Sequence, residues 1–371
     1  MERPVRHVSL HHVGETELRV VSDVDDGVTP IVQVEEEVIR GYAARARRSA
    51  RCVSLFILRD LQPLLRRIPL GTKLPMLDVA GLADRPVVNV YDLADPDTCH
   101  VFVNQESMQR AGYWADPLAI RGLLAHEHAH PLAENDATRA SRGLTAELAW
   151  RTQQPLTPAV ASAPGRSRPA TSRATATLEP RSYLKASQDE WRTRVDHLLA
   201  ALVDKLCVSA PREIFANELA IRSDFEQALL HLNRQSIDTA ARGLEARRAL
   251  LAQLEEAVGR GDLSRSGLGL LVLIGDLRGH LEMALEVAPF LRAGRAAAAA
   301  ELEAALWSAV FRALRPETLT AYEALRDRYV ALSADASADQ LLEWSLGHAR
   351  ILADALRGAG LELTCQMKLA A

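Results

Sequence analysis

Apolar residues recur at helical spacing about a third of the way along the chain, and that stretch organises the rest. Ile120, Leu123 and Leu124 lie three and four apart, with Glu127 continuing the period. Asp116-Pro117 precedes them, a capping carboxylate followed by the one helical position where a missing N–H costs nothing. The pattern predicts an amphipathic helix from Asp116 that stops at His130, because Pro131 disfavours helical geometry in the residue before it. Upstream, Val87–Leu93 and Cys99–Gln105 are strand-like and joined by Ala-Asp-Pro-Asp-Thr, a candidate hairpin. Val53–Leu58 suits strand or helix, and Leu61–Ile68 repeats at helical spacing before Pro69 and Gly71. Ile31–Arg51 carries Ile31, Val34, Val38 and Tyr42 on one side and a cluster of arginines toward its end, which fits a solvated helix end. Residues 1–30 offer at most one strand, near Leu18–Val24.

The pattern changes after Arg139. A short helix is expected over Thr145–Thr152, and then Gln153–Arg181 is built from Pro, Ala, Ser, Thr and Arg with almost no large apolar residue. Such a segment cannot bury enough surface to offset its chain entropy. Beyond Ser187 every segment has helical period: Trp191–Cys207, Pro211–Leu232, Ser236–Val258, Gly267–Glu286, Ala293–Leu314, Glu317–Leu332 and Ala338–Arg357. The expected class is α+β. Residues 1–138 form a small α/β part with the motif helix, 139–186 a low-complexity insertion or linker, and 187–371 an all-helical part.

Composition narrows the function classes. A formal charge of -4 with a pI near 6.3 gives no global reason to expect nucleic acid or an anionic membrane as partner. The longest apolar run, Leu268–Ile274, is too short to span a bilayer. The first thirty residues contain no apolar run of the secretory kind, and Cys52, Cys99, Cys207 and Cys365 show no C-x-x-C spacing. A cytoplasmic protein with reduced thiols is the expectation.

The chemistry lies at the end of the motif helix. His126-Glu127-His128-Ala129-His130 is an H-E-x-x-H pattern, which on a helix puts His126 and His130 one turn apart on one face, able to close on one ion. Glu127 sits beside that ion without binding it, placed to take a proton from an activated water and return it to a leaving amine. The order strand, loop, helix with H-E-x-x-H resembles the zincin metallopeptidases. By that resemblance a strand beside the helix pairs with extended substrate, and Cys99–Gln105 is the strand to test.

A catalytic zinc needs a third protein ligand. Glu213-Ile214-Phe215-Ala216-Asn217, an E-x-x-A-N segment, is similar to the second signature of gluzincin-type peptidases, notably the ImmA/IrrE-like family. The resemblance covers residues 85–135 and 205–225, and it implies Glu213 as ligand with Asn217 supporting the site. Asp136, six residues after His130, has the metzincin spacing but lacks that family's glycine, since Ala133 stands there; Glu218 is a neighbouring carboxylate on another face. Both stay open as alternatives. His128 faces away from the ligands and reads as a surface or supporting group, while Tyr113, His231 and His280 could donate to an oxyanion.

The resulting expectation is a Zn2+-dependent metallopeptidase acting on a protein or peptide substrate, with His126, His130 and Glu213 as ligands and Glu127 as general base. The alternative is a regulatory module on the same scaffold, binding a protein partner through its helical part with little proteolysis. A purely structural zinc is disfavoured, because such sites close with Cys or a fourth protein ligand.

Overall fold

A computed structural model describes residues 5–46, 50–62, 84–155, 188–261 and 263–369. The architecture is α+β, with a five-stranded mixed sheet beside a large helical portion. The sheet contains β1 (His7–Val13), β2 (Thr16–Ser22), β3 (Cys52–Leu58), β4 (Val87–Tyr91) and β5 (Thr98–Asn104) in the order β1-β2-β3-β5-β4. β2, β3 and β5 run parallel to one another, and the two outer strands, β1 and β4, are antiparallel to the strands they pair with. Leu18, Val20, Val53, Leu55, Ile57, Val101 and Val103 alternate along the three inner strands and are buried, so one face of the sheet is core. Helix α1 (Val28–Arg45) makes the crossover that parallel β2 and β3 require, laying Ile31, Val34, Val38 and Tyr42 inward.

Two expectations about the sheet are corrected. Residues 1–30 hold two strands, β1 and β2, paired through a turn at Gly14; the polar His-rich β1 hides its strand character because it lies at an edge with most side chains exposed. The expected hairpin is present, but Cys99–Gln105 corresponds to β5, an inner strand between β3 and β4. The edge next to the motif helix is β4.

Helix α2 (Gln105–Ala111) follows β5, and the motif helix α3 (Pro117–Leu132) comes next. Asp116 caps α3 as expected, its side chain accepting from the N–H groups of Leu118 and Ala119. Tyr42 anchors the helix to α1 by donating its hydroxyl to Ala125 O at 2.6 Å. The helix does not stop at His130 but runs through Pro131 to Leu132. A proline there deprives the carbonyl four residues back of its helical donor, and that carbonyl, Glu127 O, accepts instead from Asn89 Nδ2 of β4 at 3.0 Å. The helix therefore continues at little cost, and β4 is tied to the motif.

After α4 (Asp136–Arg142) the chain forms a strand, β6 (Leu144–Thr152), where a helix was expected. Its apolar residues Leu144, Ala146, Leu148 and Trp150 alternate, and it pairs antiparallel with β7 (Leu361–Leu369). Residues 139–152, assigned above to the linker, are thus structured, and the part from 187 onward is not all-helical. Most of Gln153–Arg181 and of Leu61–Ile68 lies outside the described residues.

The helical portion runs α5 (Gln188–Val203), α6 (Ala210–Ala220), α7 (Glu226–Gly259), α8 (Arg265–His280), α9 (Met283–Arg292), α10 (Ala296–Ala309), α11 (Pro316–Val330) and α12 (Ala338–Arg357). The expected Pro211–Leu232 segment is broken at Ser223 and Asp224, where Asp224 has φ 68°, and α7 starts just beyond. Gly267–Glu286 is likewise two helices. The core is continuous from the sheet into the helices, and α3 is its bridge, packing on α1, α6 and α7. At Gly122 the approach of α7 is so close that a Cβ would lie 2.8 Å from Ala228 O.

Candidate metal centre

Helix α3 and helix α6 cross so that one turn of each meets. His126 and His130, one turn apart on α3, face Glu213 from the first turn of α6. His126 Nε2 lies 3.2 Å from His130 Nε2 and 3.3 Å from Glu213 Oε2, and His130 Nε2 lies 4.0 Å from Glu213 Oε2. A tetrahedral ion with bonds of about 2.0–2.2 Å sets its ligand atoms about 3.3–3.6 Å apart, so the three donors span the space that one zinc ion fills. The set consists of two imidazoles and one carboxylate, without cysteine, as in sites that leave a fourth position open. The side chains are 19%, 17% and 31% exposed, in His126, His130 and Glu213 order, so the cluster is reachable from solvent.

The surroundings orient these donors. Asn217, one turn after Glu213, accepts from His126 Nδ1 at 2.7 Å, which leaves Nε2 directed at the centre. Glu127 Oε2 accepts from the Asn89 backbone N–H at 3.0 Å, and its other oxygen is not engaged by the protein among the described residues. Burial raises the pKa of Glu127, against the opposing influence of His126 and of the Asn89 N–H.

Charge in the cluster is coupled. Burial works against ionisation of Glu213, but hydrogen bonding to His126, with the charges of His130, His126 and Arg212, holds the carboxyl well below its usual range. Burial also disfavours the charged form of His126, and Glu213 outweighs it, holding the imidazole protonated up to about 9. For His130, burial is opposed by Glu213 and reinforced by the charges of His126, Arg212 and Arg142, so its pKa falls to about 3. Without an ion, the trio at neutral pH therefore holds an ionised Glu213, a charged His126 and a neutral His130.

The structure brings together His126, His130, Glu213, Glu127 and Asn217 and separates the alternatives from them. Asp136 is the first residue of α4, which Asn135 caps, and it pairs on the exposed side with Arg139 at 2.5 Å. Glu218 turns away to Arg292 Nε at 2.7 Å and to Arg222. His231 is bound to the helix cap Asp116 at 2.7 Å, and His280 is buried on α8. Tyr113 is half-buried in the loop before α3. Of the two readings of His128, surface or supporting group, the surface one is corrected: the residue is 4% exposed and bonded at 2.7 Å to Glu35 Oε1 of α1, a residue 0% exposed. The third face of α3 thus docks on α1 through a buried pair.

Asn89 and Tyr91 on β4, with Arg142 at the end of α4, were missed. One signal was present: an asparagine inside the apolar run Val87-Val88-Asn89-Val90-Tyr91 is out of place in a strand unless its amide has a partner. Tyr91 accepts from Arg142 Nη2 at 2.7 Å, and the same guanidinium binds Glu134 at 2.8 Å. Comparison of the chain with family models, with curated proteins and with solved structures finds no match. No helix among the described residues is long and apolar enough to cross a membrane.

Proposed function

We propose that the protein is a zinc-dependent metallopeptidase of gluzincin type, similar to the ImmA/IrrE-like family, with His126, His130 and Glu213 as ligands. The observation that carries this is the convergence of His126 Nε2, His130 Nε2 and Glu213 Oε2, with Asn217 holding the first imidazole by its other nitrogen. A zinc ion held by these residues supplies Lewis acidity and lowers the pKa of a water at its open position.

Glu127 is the proton carrier. Its Oε2 is fixed by the Asn89 N–H, so Oε1 receives the proton of the attacking water and delivers it to the nitrogen of the departing amine. A carboxyl raised by burial suits this, since it is basic enough to accept and acidic enough to release. Edge strand β4 flanks the same site and replaces β5 as the strand that pairs with an extended peptide.

The test is cleavage of an unstructured protein such as denatured casein by the zinc-loaded chain. Chelator-sensitive cleavage that disappears in Glu127→Gln, while that variant keeps near-stoichiometric zinc, supports the assignment. Equal turnover by the variant rejects it. A zinc-replete wild type that cleaves nothing favours the regulatory module instead.

A further inference from the structure

We infer that Ser9, His11 and Glu36 form a second catalytic site, a serine nucleophile with a histidine base and a carboxylate behind it, which hydrolyses esters of small acyl groups. The site is separate from the metal centre. β1, which carries Ser9 and His11, and β4, which flanks the metal centre, are opposite edges of the sheet, four strand spacings or about 19 Å apart.

His7, Ser9 and His11 are alternate residues of β1 and so share one face of the strand, the face that meets Glu36 of α1. The usual pattern is reversed there. Val8 and Leu10 point the other way and are 71% and 58% exposed, whereas Ser9 and His11 are half-buried. A strand that turns apolar side chains to water and polar ones toward a helix breaks the rule that burial follows hydrophobicity, and such local breaks concentrate at functional sites.

Ser9 Oγ lies 2.8 Å from His11 Nε2, and His11 Nδ1 lies 3.0 Å from Glu36 Oε1. These are the separations that link a nucleophile to its base and the base to the group that orients it. One arrangement of protons satisfies both contacts: Glu36 accepts from Nδ1–H, so Nε2 accepts from the serine hydroxyl. Arg40, one turn further along α1, donates to Glu36 Oε2 at 2.5 Å, which keeps Oε1 for the ring. His7 Nε2, 3.1 Å from the same serine oxygen, supplies a donor for the oxyanion that forms on attack. The side chains of His11 and Glu36 are 32% and 22% exposed and His7 is exposed, so substrate and water reach the serine from the open side. With α1 on one side and solvent on the other, the site suits a short acyl group.

In the reaction, Ser9 Oγ adds to the ester carbonyl carbon as its proton passes to His11 Nε2. The bond from that carbon to the alcohol oxygen then breaks, and the alcohol leaves with the proton from His11. Water adds to the acyl-serine, giving a proton to His11, and the carboxylic acid departs as that proton returns to Ser9 Oγ. Glu36 touches none of the reacting atoms and is a positioning residue.

The experiment uses the full-length chain and p-nitrophenyl acetate, with and without a chelator. Release of p-nitrophenolate is followed, and acetylated residues are mapped by peptide mass spectrometry after acid quenching. The expected result is chelator-insensitive release beyond one equivalent, with acetyl on Ser9 at least about tenfold above any other serine. Ser9→Ala and His11→Gln should each slow protein-dependent release about a hundredfold at unchanged melting temperature. Glu36→Ala should slow it as well, and Glu36→Asp should restore part of the loss. Acetyl spread over lysines and histidines without an excess on Ser9, or release unchanged in Ser9→Ala, overturns the inference. Release that disappears with the chelator assigns the hydrolysis to the metal centre and overturns it too.

Discussion

Asn217→Ala tests whether His126 is oriented for an ion or simply hydrogen-bonded in a polar crossing of helices. The amide oxygen lies 2.7 Å from His126 Nδ1, and the residue is half-buried on α6, one turn beyond Glu213. Alanine is the best helix former, so the substitution leaves the backbone of α6 undisturbed. What it removes is the acceptor that selects the Nδ1–H tautomer and fixes the ring plane. Loss of such a partner weakens metal binding about 10- to 100-fold, or about 1.4–2.7 kcal/mol. Asn217→Asp keeps an acceptor, adds charge behind the ring and should bind at least as tightly as wild type. The assay is competition for zinc against a chromophoric chelator at fixed pH, with thermal melts of the metal-free proteins to confirm equal folding. An affinity within twofold of wild type for Asn217→Ala, at unchanged melting temperature, refutes the orienting role and with it the idea that this crossing is built around an ion.

Further predictions follow from the same geometry. Glu213→Ala should lose zinc, whereas Asp136→Ala should keep it at wild-type stoichiometry, as measured by metal analysis after dialysis; zinc retained by Glu213→Ala would contradict the ligand set. Zinc binding must displace the proton that His126 holds up to about 9, while His130 is already neutral above about 3. Apparent affinity should therefore rise about tenfold per pH unit from 6 to 8 and weaken with acidification, with close to one proton released per ion; isothermal titration in buffers of different ionisation enthalpy reads this, and a flat profile would be the contrary result. Asn89→Ala removes the donor to Glu127 O that offsets Pro131, and should lower stability by about 1–3 kcal/mol in urea unfolding. Gly122→Ala, whose new Cβ meets Ala228 O at 2.8 Å, should force α3 and α7 apart and cost about 1–3 kcal/mol; a neutral outcome would mean the crossing is looser than described.

How much of this was legible in the sequence depends on the range over which each feature is determined. The motif helix was readable because its cap and apolar period are local, and Asp116 caps α3 as its identity predicts. The hairpin of β4 and β5 was readable for the same reason. The end of α3 was misread because the group that makes Pro131 tolerable is Asn89, 38 residues before the Glu127 whose carbonyl it satisfies. β6 was misread because its partner, β7, lies more than 200 residues away, and a nine-residue segment rich in Leu and Ala suits either state until a partner is known. His128 seemed to be a surface group because helical geometry gives the direction of a side chain but not what α1 places there.

The site itself divides along the same line. His126, Glu127 and His130 are fixed by one helix, whereas choosing Glu213 over Asp136 and Glu218 depended on resemblance, since spacing along the chain says nothing about which carboxylate folds back. The structure favours Glu213 on physical grounds. Of the three, Asp136 and Glu218 already have cationic partners at 2.5 and 2.7 Å, while Glu213 has only the imidazoles. A carboxylate placed so as to ionise against two histidines, with an asparagine reserved for the far nitrogen of one of them, is stable without metal only by keeping a proton on His126. That proton is what an ion would displace, so on the proposed reading the contacts between α3 and α6 in its absence would become the coordination shell in its presence.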